Sequence, residues 1–279
     1  MTGAKPHELT AEDLATYLSW WQASGMVEGV SDTPRDWFAA EPRPAASPSP
    51  ARPQPATLPA VAKSDQNHHR PMTVAAPSQT SHAARQTAAK ALNLDELRAA
   101  LEAFDGCGLK ATAKSLCFYR GAATAELMLI GEAPGRDEDL AGKPFVGRAG
   151  QLLDKMLAAI GIDETKVHIA NTVYWRPPGN RTPSVEETTA CQPFLERQME
   201  LVAPKIIVLL GGVAAKQVLG LSDGILKLRG KWRSVTVGER KVAALATLHP
   251  AYLLRTPAAK RQAWQDLLLI AQALAGQPK

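Results

Sequence analysis

Four short apolar runs constrain this chain more than anything else in it: residues 126–131, 167–170, 206–210 and 242–248. Each is nearly continuous in Leu, Ile, Val, Met and Ala, with no polar residue at alternate positions. A strand of that kind has no face that tolerates water, so it needs cover on both sides. The stretches between the runs carry apolar residues at helical spacing and supply that cover. The fold class that satisfies this pattern is α/β: three layers, α/β/α, around a central, mostly parallel sheet of about four strands.

Helix signals frame these strands. Asn93 stands at a cap position with Glu96 three residues on, and Leu94, Leu97, Leu101 and Phe104 follow as an inner face. Residues 149–160 form a helix closed by Gly161, and Ser184 with Glu187 starts another, which Pro193 is expected to kink or restart. A short helix follows Gly211-Gly212, and a closing helix covers about 257–275.

The organisation reads as three parts. Residues 1–40 form a small helical element in which Leu14, Tyr17, Leu18 and Trp21 share one face of a helix over 10–23, with Thr10 placed to cap it. Pro34 to Phe38 forms another short turn. So small a unit buries little alone, so Trp20, Trp21, Trp37 and Phe38 dock on the main body, a partner being the alternative. Residues 41–91 are rich in Pro, Ala, Ser and Gln and read as a disordered linker. His68, His69 and His82 lie in it without ligand-spaced neighbours, which argues for a solvated tether over a metal site. Residues 92–279 are the folded α/β domain.

Three cysteines, an odd number, argue against a secreted disulfide framework. No apolar run approaches the roughly 20 residues that span a bilayer, and the N-terminus has no signal-peptide pattern, so a cytoplasmic location is expected. The net charge of +5 points weakly to a polyanionic partner.

Chemistry gathers where strands end. The first run leads into GEAPGRDEDLAGKPFVGRAG, residues 131–150, with four acids, five glycines and Phe145, which reads as an exposed aromatic. Its carboxylates suit orienting a water or meeting positive charge. Asn171 ends the second strand and His249 follows the last. In a parallel sheet these ends share one edge, where ligands bind in open α/β folds. An Asn amide reads donor and acceptor edges, a histidine supports a departing oxygen, and a ring stacks on a planar ligand. Leu253, Leu254 and Arg255 combine apolar wedge and cation, and Arg229, Lys231 and Arg233 offer phosphate contacts. Each also has a plainer reading: His249 as a structural strand-end residue, Asn171 as a turn former, Phe145 as core, and LKLRGKWR as a solvated edge.

GEAPGRDEDLAGKPFVGRAGQLLDKML, NTVYWRPPGNRTP, PKIIVLLG, LRGKW and HPAYLLR, in this order over about residues 92–270, resemble the family 4 uracil-DNA glycosylases. The resemblance implies an enzyme of base-excision repair that flips uracil out of single- or double-stranded DNA and hydrolyses its N-glycosidic bond, leaving an abasic site. It implies a base-binding set of Gly131, Ala133, Phe145 and Asn171, with Glu132 positioning water or steadying the sugar cation. His249 would stabilise the uracilate oxygen, and residues 250–255 would fill the gap in the duplex. No lysine stands clearly placed for lyase chemistry, and RPPGNRTP lacks the histidine by which a related branch traps uracil covalently. The rivals are a DNA- or uracil-binding protein without catalysis, and a glycosylase preferring hypoxanthine or xanthine.

The family usually holds a [4Fe–4S] cluster on four cysteines, and here Phe104, Cys107, Trp175 and Cys191 stand at those positions. Cys117 is out of register with them, although a rearranged loop would bring it near. Cluster ligation wants four thiolates. The expectation is a chain without the cluster, its two aromatics packed where the cluster would sit, acting as a monomer with the N-terminal helix open to a protein partner.

Overall fold

The computed structural model describes residues 10–23 and 79–276. The expected turn at 34–38, Trp37, Phe38, His68, His69, Gly25 and the linker as far as residue 78 lie outside the described residues, as does the side chain of Trp21.

In chain order the elements are α1 (Ala11–Ala23), α2 (Gln79–Lys90), α3 (Leu94–Ala103), β1 (Arg120–Gly121), β2 (Leu127–Gly131), α4 (Arg136–Ala141), α5 (Arg148–Ala158), β3 (Val167–Asn171), α6 (Val185–Val202) and β4 (Ile206–Leu210). There follow α7 (Gly212–Leu219), α8 (Ile225–Leu228), β5 (Trp232–Val237), β6 (Arg240–Thr247), α9 (Pro250–Arg255) and α10 (Lys260–Leu274). One sheet runs in the order β1-β3-β2-β4-β6-β5. The four central strands are parallel and are the four apolar runs. The expectation of about four strands is corrected to six, because β1 and β5 add antiparallel edges. The sequence hides both: β1 has two residues, and β5 is an edge strand on which buried and exposed residues alternate.

Side chains leave a strand alternately to its two faces, and both faces are core. Met128, Ile130, Ile207, Leu209 and Ala244 pack against residues of α3, α6 and α7. Leu127, Leu129, Val208, Leu210 and Leu245 pack against residues of α5, α9 and α10. The three layers follow directly from the unbroken apolar runs.

Local signals act as their chemistry dictates at two helix starts. Asn93 accepts from the Glu96 amide at 2.9 Å, and Ser184 and Glu187 form a reciprocal capping box. Pro193, expected to kink or restart its helix, lies inside α6 without dividing it; the ring is buried, and packing outweighs the missing backbone donor.

Two corrections concern the N-terminal third. Residues 79–90, assigned to the linker, form helix α2. Its seam is Ala84, Ala88 and Ala91, all buried, and Arg197 of α6 donates through Nε and Nη2 to the Ala91 carbonyl at 3.0 and 2.8 Å. A seam of methyl groups permits close helix approach but carries little hydropathy signal, so composition conceals it. In α1 the buried face is not the expected one: Leu14 and Leu18 are exposed, while Trp20 is buried and stacks on Trp264 with ring centroids 5.7 Å apart. Tyr17 meets the same ring. Through these rings the helix docks on its own chain.

A buried polar tie joins the end of β6 to α10. The Asp266 carboxylate, wholly buried, accepts from Thr247 Oγ1 at 2.6 Å and from Arg229 Nη2 at 2.7 Å and Nε at 3.1 Å. Removing one partner of such a pair leaves a buried charge uncompensated. Asp266→Ala should therefore lower unfolding stability by ~3 kcal/mol in a urea melt; a change within about 0.5 kcal/mol, the usual range for surface substitutions, would show that the tie is dispensable.

Candidate active site

Parallel pairing sets the site. Gly131 at the end of β2 lies in register with Asn171 at the end of β3. β6 ends at Thr247, two residues before His249. Glu132, Asn171 and His249 therefore come from three strands to one edge.

The loop after β2 then folds back over that edge. Glu138, in α4, accepts from the amides of Gly135 at 3.1 Å and Gly147 at 2.9 Å, and Asp139 accepts from those of Lys114 and Ser115 at 2.8 and 3.0 Å. These two of the four acids are thus bound to backbone rather than waiting for water or cations. The closed loop delivers Phe145 with φ of 55°, in the left-handed region. Gly150 has no room for a Cβ, because the Phe145 carbonyl lies against it. Phe145, expected to be exposed, is buried: its ring lies over Gly131 and 5.6 Å, centroid to centroid, from the imidazole of His249. A Cβ on Gly131 would meet both Phe145 Cζ and Asn171 Oδ1 at 2.5 Å, so only glycine lets these side chains converge.

The electrostatics are distinctive. The Asn171 amide is buried, and neither its oxygen nor its nitrogen has a hydrogen-bond partner. Unmade buried hydrogen bonds are costly, so such an amide is poised for a ligand. His249 Nδ1 accepts from the Ala251 amide at 3.1 Å, which assigns the proton of the neutral ring to Nε2. Burial, and then the charge of Arg255, push its pKa down to about 4. Burial pushes the Glu132 carboxyl up, opposed by a hydrogen bond with Thr182, and Thr172 Oγ1 fixes the Glu132 carbonyl at 2.7 Å.

A cavity of about 430 Å³ opens here, lined by Glu132, Ala133, Phe145, Arg181, His249 and Tyr252 among others. A larger hollow of about 580 Å³ lies at the opposite ends of the strands, by Glu126, Leu127 and Lys205, and contains none of these groups.

The model of the uracil DNA glycosylase superfamily matches residues 118–268. This chain belongs to the uracil DNA glycosylase superfamily. It is 39% identical over 184 residues to the type-4 uracil-DNA glycosylase of Archaeoglobus fulgidus, covering 64% of this chain and 92% of that one. It is 41% identical over 160 residues to that of Sulfurisphaera tokodaii, covering 56% and 72% respectively. A type-5 uracil-DNA glycosylase of Pyrobaculum aerophilum is 28% identical over 151 residues, covering 48% of this chain and 64% of that one.

The superfamily fold brings some sequence-predicted contacts to the cavity and withdraws others. Arg229 is engaged inside the protein by Asp266 and the Gln262 carbonyl, where its reading as a phosphate contact expects a free guanidinium. Leu253 is 0% exposed in the core, where its reading as a DNA wedge expects a side chain at the surface. Leu254 and Arg255 are exposed. Lys231 is exposed at the start of β5, beside the carboxyl end of β6, and Arg233 is half-buried. Sequence reasoning gave no site role to Asn180 or Arg181 and took in Tyr252 only within residues 250–255. All three line the cavity, and for Asn180 and Arg181 the signal was available, since a loop leaving the Asn171 strand must pass over the same edge.

The residues at the cluster positions do not fit a four-thiolate cluster. Phe104, Cys107, Trp175 and Cys191 are buried in one core, with Cys107 and Cys191 Sγ atoms 3.8 Å apart and Phe104 packed on Phe194 at 5.0 Å. Cys191's hydrogen bond holds the Cys107 thiol below its ordinary pKa. Cys117 is engaged elsewhere: its thiol donates to the Glu138 carbonyl at 3.1 Å, and burial pushes its pKa up to about 12. Among the described residues no group of three or more His, Cys, Asp or Glu side chains is arranged for a metal.

Because the folded pKa of His249 is depressed from 6.5 to about 4, its neutral form persists as pH falls through 6.5. The stability it contributes is present above 6.5 and is lost between there and about 4. Activity should therefore show no limb centred at 6.5 that belongs to this ring. An acid limb in wild type that disappears in Glu132→Gln is the expected profile; one near 6.5 that persists in Glu132→Gln and disappears in His249→Gln would mean an exposed imidazole.

Proposed function

We propose that this enzyme removes uracil from DNA by hydrolysing its N-glycosidic bond and leaving an abasic site. The observation that carries the reading is the buried, unpartnered amide of Asn171, which meets the ring of Phe145 over Gly131, with that ring 5.6 Å from the neutral imidazole of His249. Among the relatives, those named type-4 uracil-DNA glycosylase match along most of their length, which supports the same substrate.

In this reading the uracil leaves the duplex and enters the cavity. Phe145 takes its face, with Gly131 and Ala133 forming the backbone wall. Asn171 pairs with the ring edge through donor and acceptor. As the bond from the base nitrogen to the sugar carbon breaks, its electron pair moves onto the base, and His249 donates from Nε2 to the developing oxyanion without giving up its proton. Such fixed donors in a dry site stabilise charge that appears only in the transition state. The sugar is left as a cation; Glu132, ionised, steadies it, orients the water whose oxygen bonds to the sugar carbon and accepts the proton that water gives up. Lys231, Arg233, Leu254 and Arg255 support contact with the DNA around the cavity.

The proposed mechanism uses no metal. Phe104 and Trp175 fill the space that two cluster ligands would need, and the thiols of Cys107 and Cys191 complete the packing. No helix among the described residues is long and apolar enough to cross a membrane. The three free cysteines fit a reducing cytoplasm, where we place the enzyme as a monomer.

The test is excision from a labelled oligonucleotide carrying one uracil, followed by alkaline cleavage, with a chelator present in one arm. Wild type should cleave in both arms and carry no stoichiometric iron. Asn171→Ala and His249→Ala should each lower the rate at least tenfold, about 1.4 kcal/mol of barrier, and Glu132→Ala should lower it as well. Wild-type rates in both of the first two variants would remove those residues from the site. DNA binding without cleavage would favour a binding protein, and cleavage only at hypoxanthine or xanthine would change the base.

A further inference from the structure

We propose that Cys107 and Cys191 are a peroxide-reactive dithiol, which closes to a disulfide and ties the segment before β1 covalently to α6. The proposal does not depend on which base the active site removes.

The two cysteines are 84 residues apart in the chain, and their sulfurs are 3.8 Å apart in space. A disulfide needs about 2.0 Å, so a small approach separates the thiols from a bond. The two sides of the pair differ in freedom. Cys191 lies inside α6, is wholly buried and is fixed by the helix backbone. Cys107 stands in extended backbone, φ −111° and ψ 115°, at the cap of a single helical turn over Gly108–Ala111. Its neighbours Gly106 and Gly108 are both exposed, and a Cβ on Gly108 would meet nothing within 4 Å, so open space lies against this segment. The approach therefore falls on the segment around Cys107 and leaves α6 in place. That matters to the active site, because Glu187 in the first turn of α6 accepts from Arg181 at 2.8 and 2.6 Å and so anchors the loop over the cavity.

The pair is also polarised. The Cys191 thiol donates to the Cys107 sulfur, which favours the thiolate on the sulfur that adjoins exposed backbone. Cys107 is thus the attacking thiol and Cys191 the resolving one. The Cys107 sulfur bonds to one oxygen of hydrogen peroxide; the O–O bond breaks, and the other oxygen leaves as water with the proton that Cys107 gave up. The Cys191 sulfur then displaces the hydroxyl of the Cys107 sulfenic acid, and its own proton leaves with that hydroxyl as a second water. Two electrons pass from the two sulfurs to the peroxide, and a dithiol reductant returns them. Reversible disulfides of this kind are the ones that a reducing compartment tolerates.

The experiment exposes the full-length reduced protein to hydrogen peroxide, alkylates the remaining thiols after denaturation and maps the products by mass spectrometry. One cross-link, Cys107 to Cys191, should form and should vanish with dithiothreitol, while Cys117, whose thiol is bound to the Glu138 carbonyl, stays free for alkylation. Oxidised protein should melt at least about 5 °C above reduced protein, since the link closes a long loop in the unfolded chain, and Cys107→Ser should show no such rise. In Cys191→Ser, dimedone should trap a sulfenic acid on Cys107. Both thiols of wild type alkylated after excess peroxide would overturn the proposal, as would a link through Cys117 or an unchanged melting temperature on linking. These readouts need no activity, so they stand or fall apart from the uracil reading. Excision by the oxidised enzyme should equal that of the reduced one; a loss that dithiothreitol restores would overturn the placement of the movement outside α6.

Discussion

The parallel register of β3, β2, β4 and β6 is the constraint on which the rest of this protein depends. It puts every carboxyl end at one edge, and so places Gly131 beside Asn171 and brings the turn after β6 to the same place. Nothing local to Asn171 or His249 gives either a function. Their chemistry arises because strands distant in sequence are hydrogen-bonded neighbours. The Asp266 tie adds to this from below, holding Thr247 and the turn at Arg229 against α10 so that the residue two beyond Thr247 stays in place.

Burial then converts ordinary side chains into reagents. An exposed imidazole would be partly protonated near neutrality, whereas His249 is kept neutral by the apolar side chains around it and given one tautomer by a single backbone amide. The amide of Asn171 stands unsatisfied, at a cost that pairing with a base edge offsets in the proposed reading. The absence of a side chain at Gly131 makes both arrangements possible, since any Cβ there would displace Phe145 and Asn171 together.

The four positions at which the resemblance implies a cluster show a different economy. Two thiols 3.8 Å apart and two aromatic rings occupy them, and the rings pack with Phe194 and Tyr174 as part of the core on that face of the sheet. The third cysteine, which a rearranged loop was expected to bring near, is instead hydrogen-bonded to the Glu138 carbonyl under α4. Apolar packing there fixes the segment before β1 onto α6.

By itself the sequence determined the layered architecture, because unbroken apolar runs admit no other burial than cover on two faces. It also determined the caps at Asn93 and Ser184, whose hydrogen bonds reach only three residues, and the strand-end placement of Glu132, Asn171 and His249. Tertiary structure decided what depends on distant neighbours. The face by which α1 docks was set by the stack of Trp20 on Trp264, not by the leucine stripe. Helix α2 was invisible because its contact surface is alanine. Arg229 and Leu253 looked available for DNA until Asp266 and the core claimed them, while Tyr252 emerged at the rim only once Leu253 was seen to be anchored. Periodicity and capping are local and legible along the chain; which charged or apolar side chain stays free is settled by partners that the chain brings from elsewhere.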